Sequence, residues 1–427
     1  MPTAVLMGTL DTKGREYAFV KARLAAAGVT PLLVDFGVLG EPSIEPDIGS
    51  AEVAQAGGAD LHDLRFSREG SDTRAAALAI MEQGLIEILR RLREEGRCDG
   101  VLGLAGSGGS SAISGAMRSL PLGVPKLLLS TMAASLDMGA YIGTRDICIM
   151  HSVTDIAGLN RVSRMILANA AHALAGMVRD AGRVEAAIDK PLVAVTMFGI
   201  TTPGVLRLVR RLEESGFETI VFHAVGSGGR SMEQMIEEGM IDGVIDYTVS
   251  ELTDHLLGGI FDAGPDRLEA AGRRGIPQVV VPGAIEVLNF GARSTVPEKY
   301  DRPERRLIIH NPSVCAVRIN QEEGVQLGRL LAAKVNAATG PIAVLLPLNG
   351  LDKYEAAPDG PYIDRQSDES LFEAIKSELR QDIPLTEMNA NINDPEFADR
   401  IFEAFAHLWR MDAPPKPSPR LRHRLSR

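Results

Sequence analysis

Short apolar runs that stop at a glycine-bearing turn and restart with helical spacing recur along this chain, and few folds accommodate them. Residues 4–7 (AVLM) lead into Gly8-Thr9-Leu10-Asp11-Thr12-Lys13-Gly14. Residues 16–27 then set Tyr17, Val20 and Leu24 on one helical face, and Gly28 ends the pattern. A second apolar run over 31–36 contains the acid Asp35 near its end. Unalternating apolar runs belong to strands covered on both faces, as in a parallel sheet. Strands alternating with helices imply an α/β, doubly wound design.

The pattern predicts further strands at 100–104, 126–130 and 146–150, with helices over 73–95, 110–118 and 159–178. Residues 41–71 are rich in Gly, Pro and Asp and read as a long loop. Asp189-Lys190-Pro191 reads as a linker. Beyond it, strands are expected at 192–196, 219–223, 242–247, 278–281, 307–309 and 342–346, with a helix over 203–215. A chain of 427 residues exceeds one ordinary core. The expectation is two Rossmann-like doubly wound parallel-sheet subdomains, over 1–185 and 191–410, and a disordered basic tail over 411–427.

Charge narrows the partners. The net charge is -11, and the five basic residues between Ala413 and Arg427 take the rest of the chain to -16. An acidic body argues against broad nucleic-acid or anionic-membrane binding. No apolar run approaches the roughly 20 residues that span a bilayer. The N-terminus lacks the basic start and cleavage site of a signal peptide. Three widely separated cysteines, Cys98, Cys148 and Cys315, suit reduced thiols and a cytoplasmic protein. They have no metal-ligand spacing, and no HExxH or paired CxxC occurs, so no protein-held metal is assigned.

Two turns suit phosphate. Gly8 to Gly14 follows a strand and opens a helix, where free N–H groups and the helix dipole favour an anion. Thr9 and Thr12 can donate hydroxyl hydrogen bonds, and Lys13 adds charge. Asp11 would cap N–H groups or reach a hydrated Mg²⁺. The segment matches neither GxxxxGK[ST] nor GxGxxG, and it would also serve as a plain capped helix start. Gly106-Ser107-Gly108-Gly109 is the second turn, a run of small residues able to aim N–H groups at one point. A ligand-free tight turn is the alternative. In a doubly wound sheet both turns would flank the switch point. Asp35 is placed to take ribose hydroxyls or to act as a turn acid. Arg74 could reach a phosphate or be a solvated helix residue. Thr131 lies at the same edge.

GTLDTKG, AGSGGSS, SLPLGVPKLLLSTMAAS, YIGTRDICIMHSVTDIAGLN and PLNGLDKYEAAPDGPYID together resemble the family that includes the N-terminal ATP-binding domain of the tomato mosaic virus resistance protein. The resemblance spans nearly the whole chain. It implies two Rossmann-like subdomains, a homodimer, and ATP with Mg²⁺ in the first subdomain. The nucleotide contacts it implies are Asp11, Thr12, Lys13, Arg74, the 106–109 turn and Thr131.

The second half repeats GSGG at Gly226-Ser227-Gly228-Gly229 and sets polar residues at expected strand ends. His223, Glu286, His310, Arg318 and Asp352 are its candidate catalytic groups, although each alone could be a cap or a surface group. As a set they suit a small-molecule site. The expected function is an ATP/Mg-dependent enzyme acting on a small metabolite between two lobes. The alternative is a nucleotide-binding regulatory or interaction protein that does not turn ATP over.

Overall fold

The computed structural model describes residues 1–66, 71–134, 138–181, 190–356, 360 and 362–411. Asp189 of the expected linker and the tail after residue 411 lie outside them. The chain divides into two compact units.

The first unit carries strands β1 (Thr3–Gly8), β2 (Thr30–Asp35), β3 (Gly100–Ala105), β4 (Lys126–Ser130) and β5 (Cys148–His151). All pair in parallel, in the order β2-β1-β3-β4-β5. The chain leaves β1 outward to β2 and returns to β3 on the other side, so the switch point falls between β1 and β3. Helices α1 (Leu10–Ala26), α2 (Ser50–Ala56), α3 (Leu61–Phe66), α4 (Ser71–Glu94), α5 (Ser107–Arg118), α6 (Gly139–Ile142) and α7 (Arg161–Asp180) connect the strands. Alternate strand residues feed two cores. Val5, Met7 and Val101 pack with Met81, Leu85 and Ile113 of α4 and α5. Ala4, Leu6 and Leu102 pack with Val20, Leu167 and Leu174 of α1 and α7. The segment expected as a loop over 41–71 holds α2 and α3, and Ile48 bridges to Val34 of β2.

The second unit carries β6 (Leu192–Met197), β7 (Glu218–His223), β8 (Gly243–Thr248), β9 (Gln278–Gly283), β13 (Ile342–Pro347) and β14 (Leu385–Met388) in a parallel sheet of order β14-β13-β9-β8-β6-β7. Helices α8 (Thr202–Glu214), α9 (Ser227–Glu237), α10 (Ser250–Leu257), α11 (Ala270–Arg274), α12 (Gln321–Asn336), α13 (Arg365–Glu378) and α14 (Pro395–Met411) accompany it. Between β9 and β13 the chain makes a separate antiparallel sheet from β10 (Val287–Phe290), β11 (Leu307–Asn311) and β12 (Val314–Arg318), in the order β10-β12-β11. Residues 307–309, expected in the parallel sheet, belong to this excursion. Both of its faces carry apolar side chains, Leu288 and Val317 on one and Val287 and Ala316 on the other, so its runs look like those of a doubly covered strand. No helix among the described residues is long and apolar enough to cross a membrane.

Candidate functional site

The two glycine-bearing turns of the first unit follow adjacent parallel strands and share one edge of the sheet. β1 and β3 pair only as far as Met7 opposite Gly103. Beyond that point the buried hydroxyl of Tyr17, from α1, stands between them. It accepts the N–H of Leu104 at 2.7 Å and lies within hydrogen-bonding reach of the Met7 and Leu104 carbonyls. This explains Gly8, because a Cβ there would lie 2.1 Å from the Tyr17 ring. Gly8 therefore makes room for Tyr17, a packing role distinct from the phosphate contact expected of it.

Asp35 also has a different task. It is fully buried, and its Oδ1 accepts the N–H groups of Leu10 at 2.9 Å and Gly37 at 3.0 Å. Burial raises its pKa above the usual carboxylate value, opposed by those two N–H groups. The side chain is thus held against the start of α1, the turn-acid alternative of the sequence reading. The physical reason is that the start of α1 draws the acid inward. Asp11 caps, with Oδ2 accepting from Leu39 at 2.9 Å and Gly40 at 3.2 Å. Thr9 precedes α1 and its hydroxyl lies 2.9 Å from that of Thr12. Lys13 departs from helical geometry (φ -126°, ψ 18°), and its Nζ donates to the Ile156 carbonyl at 2.6 Å. Arg74 is exposed near the start of α4.

The two GSGG segments form helix starts of different character. At Gly226–Gly229 the position is filled from within, since Glu251 Oε1 accepts the N–H groups of Gly226 at 2.7 Å and Gly229 at 3.0 Å. Glu251 Oε2 takes Arg267 Nε at 2.7 Å, and both side chains are fully buried. At Gly106–Gly109 no side chain among the described residues caps α5. The N–H groups of Ser107, Gly108 and Gly109 have no acceptor among the described residues, while Ser110 N–H returns to the Gly106 carbonyl at 2.8 Å. Ser107 is exposed and the glycines half-buried. A Cβ on Gly106 would find its nearest neighbour, Thr131 Oγ1, at 3.8 Å.

In the second unit, three of the five expected catalytic groups come together. Glu286 follows β9, Arg318 ends β12 and Asp352 follows β13, and all are buried. Adjacency of β9 and β13 brings the acids to one sheet edge, reinforced by the Ala284 N–H donating to Leu351 O at 3.1 Å. Glu355, Asp368 and Tyr362 complete the cluster and were not expected. Asp352 Oδ1 accepts from Tyr354 N at 2.8 Å and Glu355 N at 3.0 Å, starting a short 3₁₀ turn that brings Glu355 alongside. Glu355 Oε2 accepts from Leu351 N at 2.7 Å, and its Oε1 faces Arg318 Nη2 at 3.0 Å. Arg318 also donates to Asp368 and, through Nε, to the Tyr362 carbonyl at 2.9 Å. One carboxylate oxygen from each of Glu286, Asp352 and Glu355 lies within 4.8 Å of the other two. Burial, then the charges of Asp352 and Glu355, hold Glu286 well above the ordinary glutamate pKa. Burial pushes Asp352 and Asp368 up to about 7, with Glu355 adding to each shift. The sequence signal for Glu355 was its spacing of three from Asp352, the i, i+3 pattern of a capped turn.

His223 and His310 stay outside this cluster. Both are exposed on edge strands, β7 and β11, with His223 lying 5.6 Å from the Phe198 ring. Their exposure, with no buried acid as partner among the described residues, sets them apart from Glu286.

Residues 2–183 match the N-terminal domain, and residues 190–409 the C-terminal domain, of "Uncharacterised protein family (UPF0261)". A UPF0261 protein of Clostridium tetani is 42% identical over 395 residues, covering 92% of this chain and 96% of its own. One from Rhizobium meliloti is 39% identical, covering 96% and 99%. The ToMV resistance protein Tm-1(GCR237) of Solanum lycopersicum is 36% identical over 361 residues, covering 83% of this chain and 46% of its own, so the chain spans about half of that protein. Among solved structures, UDP-N-acetylglucosamine 2-epimerase from Rickettsia bellii covers 96% of each chain at 9% identity with a TM-score of 0.23. The epimerase from Neisseria meningitidis, bound to UDP-GlcNAc, covers 88% of this chain and 100% of its own at 11% identity with a TM-score of 0.20. Likeness at that level says nothing about what this chain binds.

Proposed function

Because the chain belongs to the uncharacterised protein family UPF0261, we propose a function from its own geometry: the first unit binds the phosphates of ATP, accompanied by Mg²⁺, at the switch point between β1 and β3. The observation that carries this reading is the contrast between the two GSGG segments. Where the protein places a carboxylate of its own, the glycine amides converge on it. At Gly106–Gly109 the same residue types leave three N–H groups without an acceptor among the described residues, beside the Thr131 hydroxyl. Unpaired amides at a helix start favour an anion. The resemblance to a family with an ATP-binding domain selects ATP among phosphate ligands.

In this reading the amides of residues 107–109 hold phosphate oxygens and Thr131 donates its hydroxyl. Lys13 exchanges the Ile156 carbonyl for the stronger attraction of a charged phosphate. Arg74 adds charge from α4. Bound Mg²⁺ would supply charge neutralisation on the phosphates. The proposal extends to a cytoplasmic homodimer that uses ATP to act on a small metabolite, with acidic groups of the second unit as candidates for the chemistry. A second reading, ATP binding without turnover, is favoured by Asp11 and Asp35, each of which commits one oxygen to two backbone N–H groups.

Thermal shift tests the binding. Mg-ATP should raise the Tm of the wild-type chain. Gly106 has φ -84° and ψ -166°, a conformation open to any residue, so Gly106→Val should fold and lose most of the shift by covering the amides. Lys13→Ala should weaken it. No shift in the wild type, or the same shift in both variants, would remove the proposal. ATP consumption in the presence of candidate metabolites separates the two readings.

A further inference from the structure

We propose that the second unit holds a hard divalent cation, of the Mg²⁺, Mn²⁺ or Ca²⁺ class, between the carboxylates of Glu286, Asp352 and Glu355. Three carboxylates whose oxygens approach within 4.8 Å, each almost wholly buried, need compensation. The local arginines supply part of it. Arg318 donates to Glu355 and Asp368, and Arg365 approaches Asp368 at 3.7 Å. With all four carboxylates ionised, two positive charges leave two uncompensated, and a divalent cation would supply them.

The pattern of hydrogen bonds says where the cation goes. Asp352 Oδ1 and both oxygens of Glu355 are oriented by backbone N–H groups or by Arg318. Both oxygens of Glu286, and Asp352 Oδ2, are buried and without a hydrogen-bond partner among the described residues. A carboxylate fully buried and wholly unpartnered is costly unless something binds it. The two anchored acids resemble metal ligands fixed by a surrounding shell, and one oxygen of each lies within 4.8 Å of an oxygen of Glu286. The donors are all oxygens, with no histidine or cysteine among the three, which selects hard cations over Zn²⁺ or Cu²⁺. The Tyr362 hydroxyl, also buried and without a partner among the described residues, is available to a ligand water. This site is separate from the nucleotide reading, since all its residues belong to the second unit.

The test uses the full chain, stripped with EDTA and free of nucleotide, titrated with Mn²⁺ while free Mn²⁺ is followed by electron paramagnetic resonance. The expected result is one Mn²⁺ per chain with a Kd below about 1 mM, competed by Mg²⁺ or Ca²⁺, and a rise in Tm on binding. Glu286→Gln preserves shape and removes charge. It should weaken Mn²⁺ binding by at least about 100-fold, beyond the range seen when only a supporting residue is lost. Asp352→Asn keeps the Oδ1 cap and should do the same, which covers the case in which the first variant fails to fold. Lys13→Ala should bind Mn²⁺ as the wild type does, whatever happens to its ATP response. No Mn²⁺ bound by the wild type at about 10 mM, ten times the expected ceiling, would overturn the proposal. Unchanged binding by folded Glu286→Gln or Asp352→Asn would do so too.

Discussion

One oxygen of Glu251 receives the N–H groups of both Gly226, at 2.7 Å, and Gly229, at 3.0 Å. Its other oxygen receives Arg267, which also faces Glu233 at 3.0 Å and Asp246 at 2.7 Å. Glu251→Ala would remove a partner of a buried guanidinium and open the turn at once. A loss of about 3 kcal/mol is expected in urea unfolding. The emptied turn should then accept an external anion. Sulfate is predicted to stabilise Glu251→Ala more than it stabilises the wild type, at matched ionic strength. Equal sulfate effects would show that the turn does not hold an anion of its own accord.

Tyr17→Phe keeps the ring beneath Gly8 and deletes the hydroxyl between β1 and β3. It leaves the buried N–H of Leu104 without its 2.7 Å acceptor. An unpaired buried amide costs about 1–3 kcal/mol. Amide hydrogen exchange at Leu104 should accelerate while the rest of β3 stays protected.

Asp254 gives a pH dependence with a definite sign. Its oxygens accept the backbone and side-chain N–H groups of Asn289 at 2.8 and 2.9 Å, yet burial pushes its pKa up to about 7. In the unfolded chain an aspartate titrates near ~3.9. The folded state therefore holds the proton more tightly. Stability from this group is full below about pH 4 and is lost as pH rises toward 7. Asp254→Asn, with the Asn289 amide turned over to accept, should flatten the dependence of the urea midpoint between about pH 5 and 7.5.

Asn160 caps α7, its Oδ1 accepting from Val162 N and Ser163 N at 2.9 Å, while Ser163 Oγ accepts the Asn160 N–H at 2.8 Å. Asn160→Ala should cost about 1 kcal/mol, read as a shift of the urea midpoint without a change in slope.

The apolar runs were enough to place β1 and β3 and to anticipate that their turns share an edge. That depends only on strand burial and winding. Glu286, Arg318 and Asp352 were legible as polar residues at strand ends. They were expected to meet as a set with His223 and His310; which of them do so was not legible, because it depends on β9 lying beside β13 across an excursion. Asp368 lies on the first turn of α13 and joins the cluster through Arg318. Asp35 stayed ambiguous because an acid at a strand end looks the same whether it faces a ligand or the start of its own helix. The two GSGG segments are identical as text. What separates them is Glu251, which is 22 residues beyond Gly229.

The antiparallel excursion begins and ends at one point. Val287 lies opposite Arg318, and the Ile319 N–H donates to the Glu286 carbonyl at 3.0 Å. Its far end, at Asn311, Pro312 and Ser313, is exposed. A handle stitched shut at its neck can be relengthened, tagged or fitted with a spectroscopic label at its tip while the acids at its root keep their places.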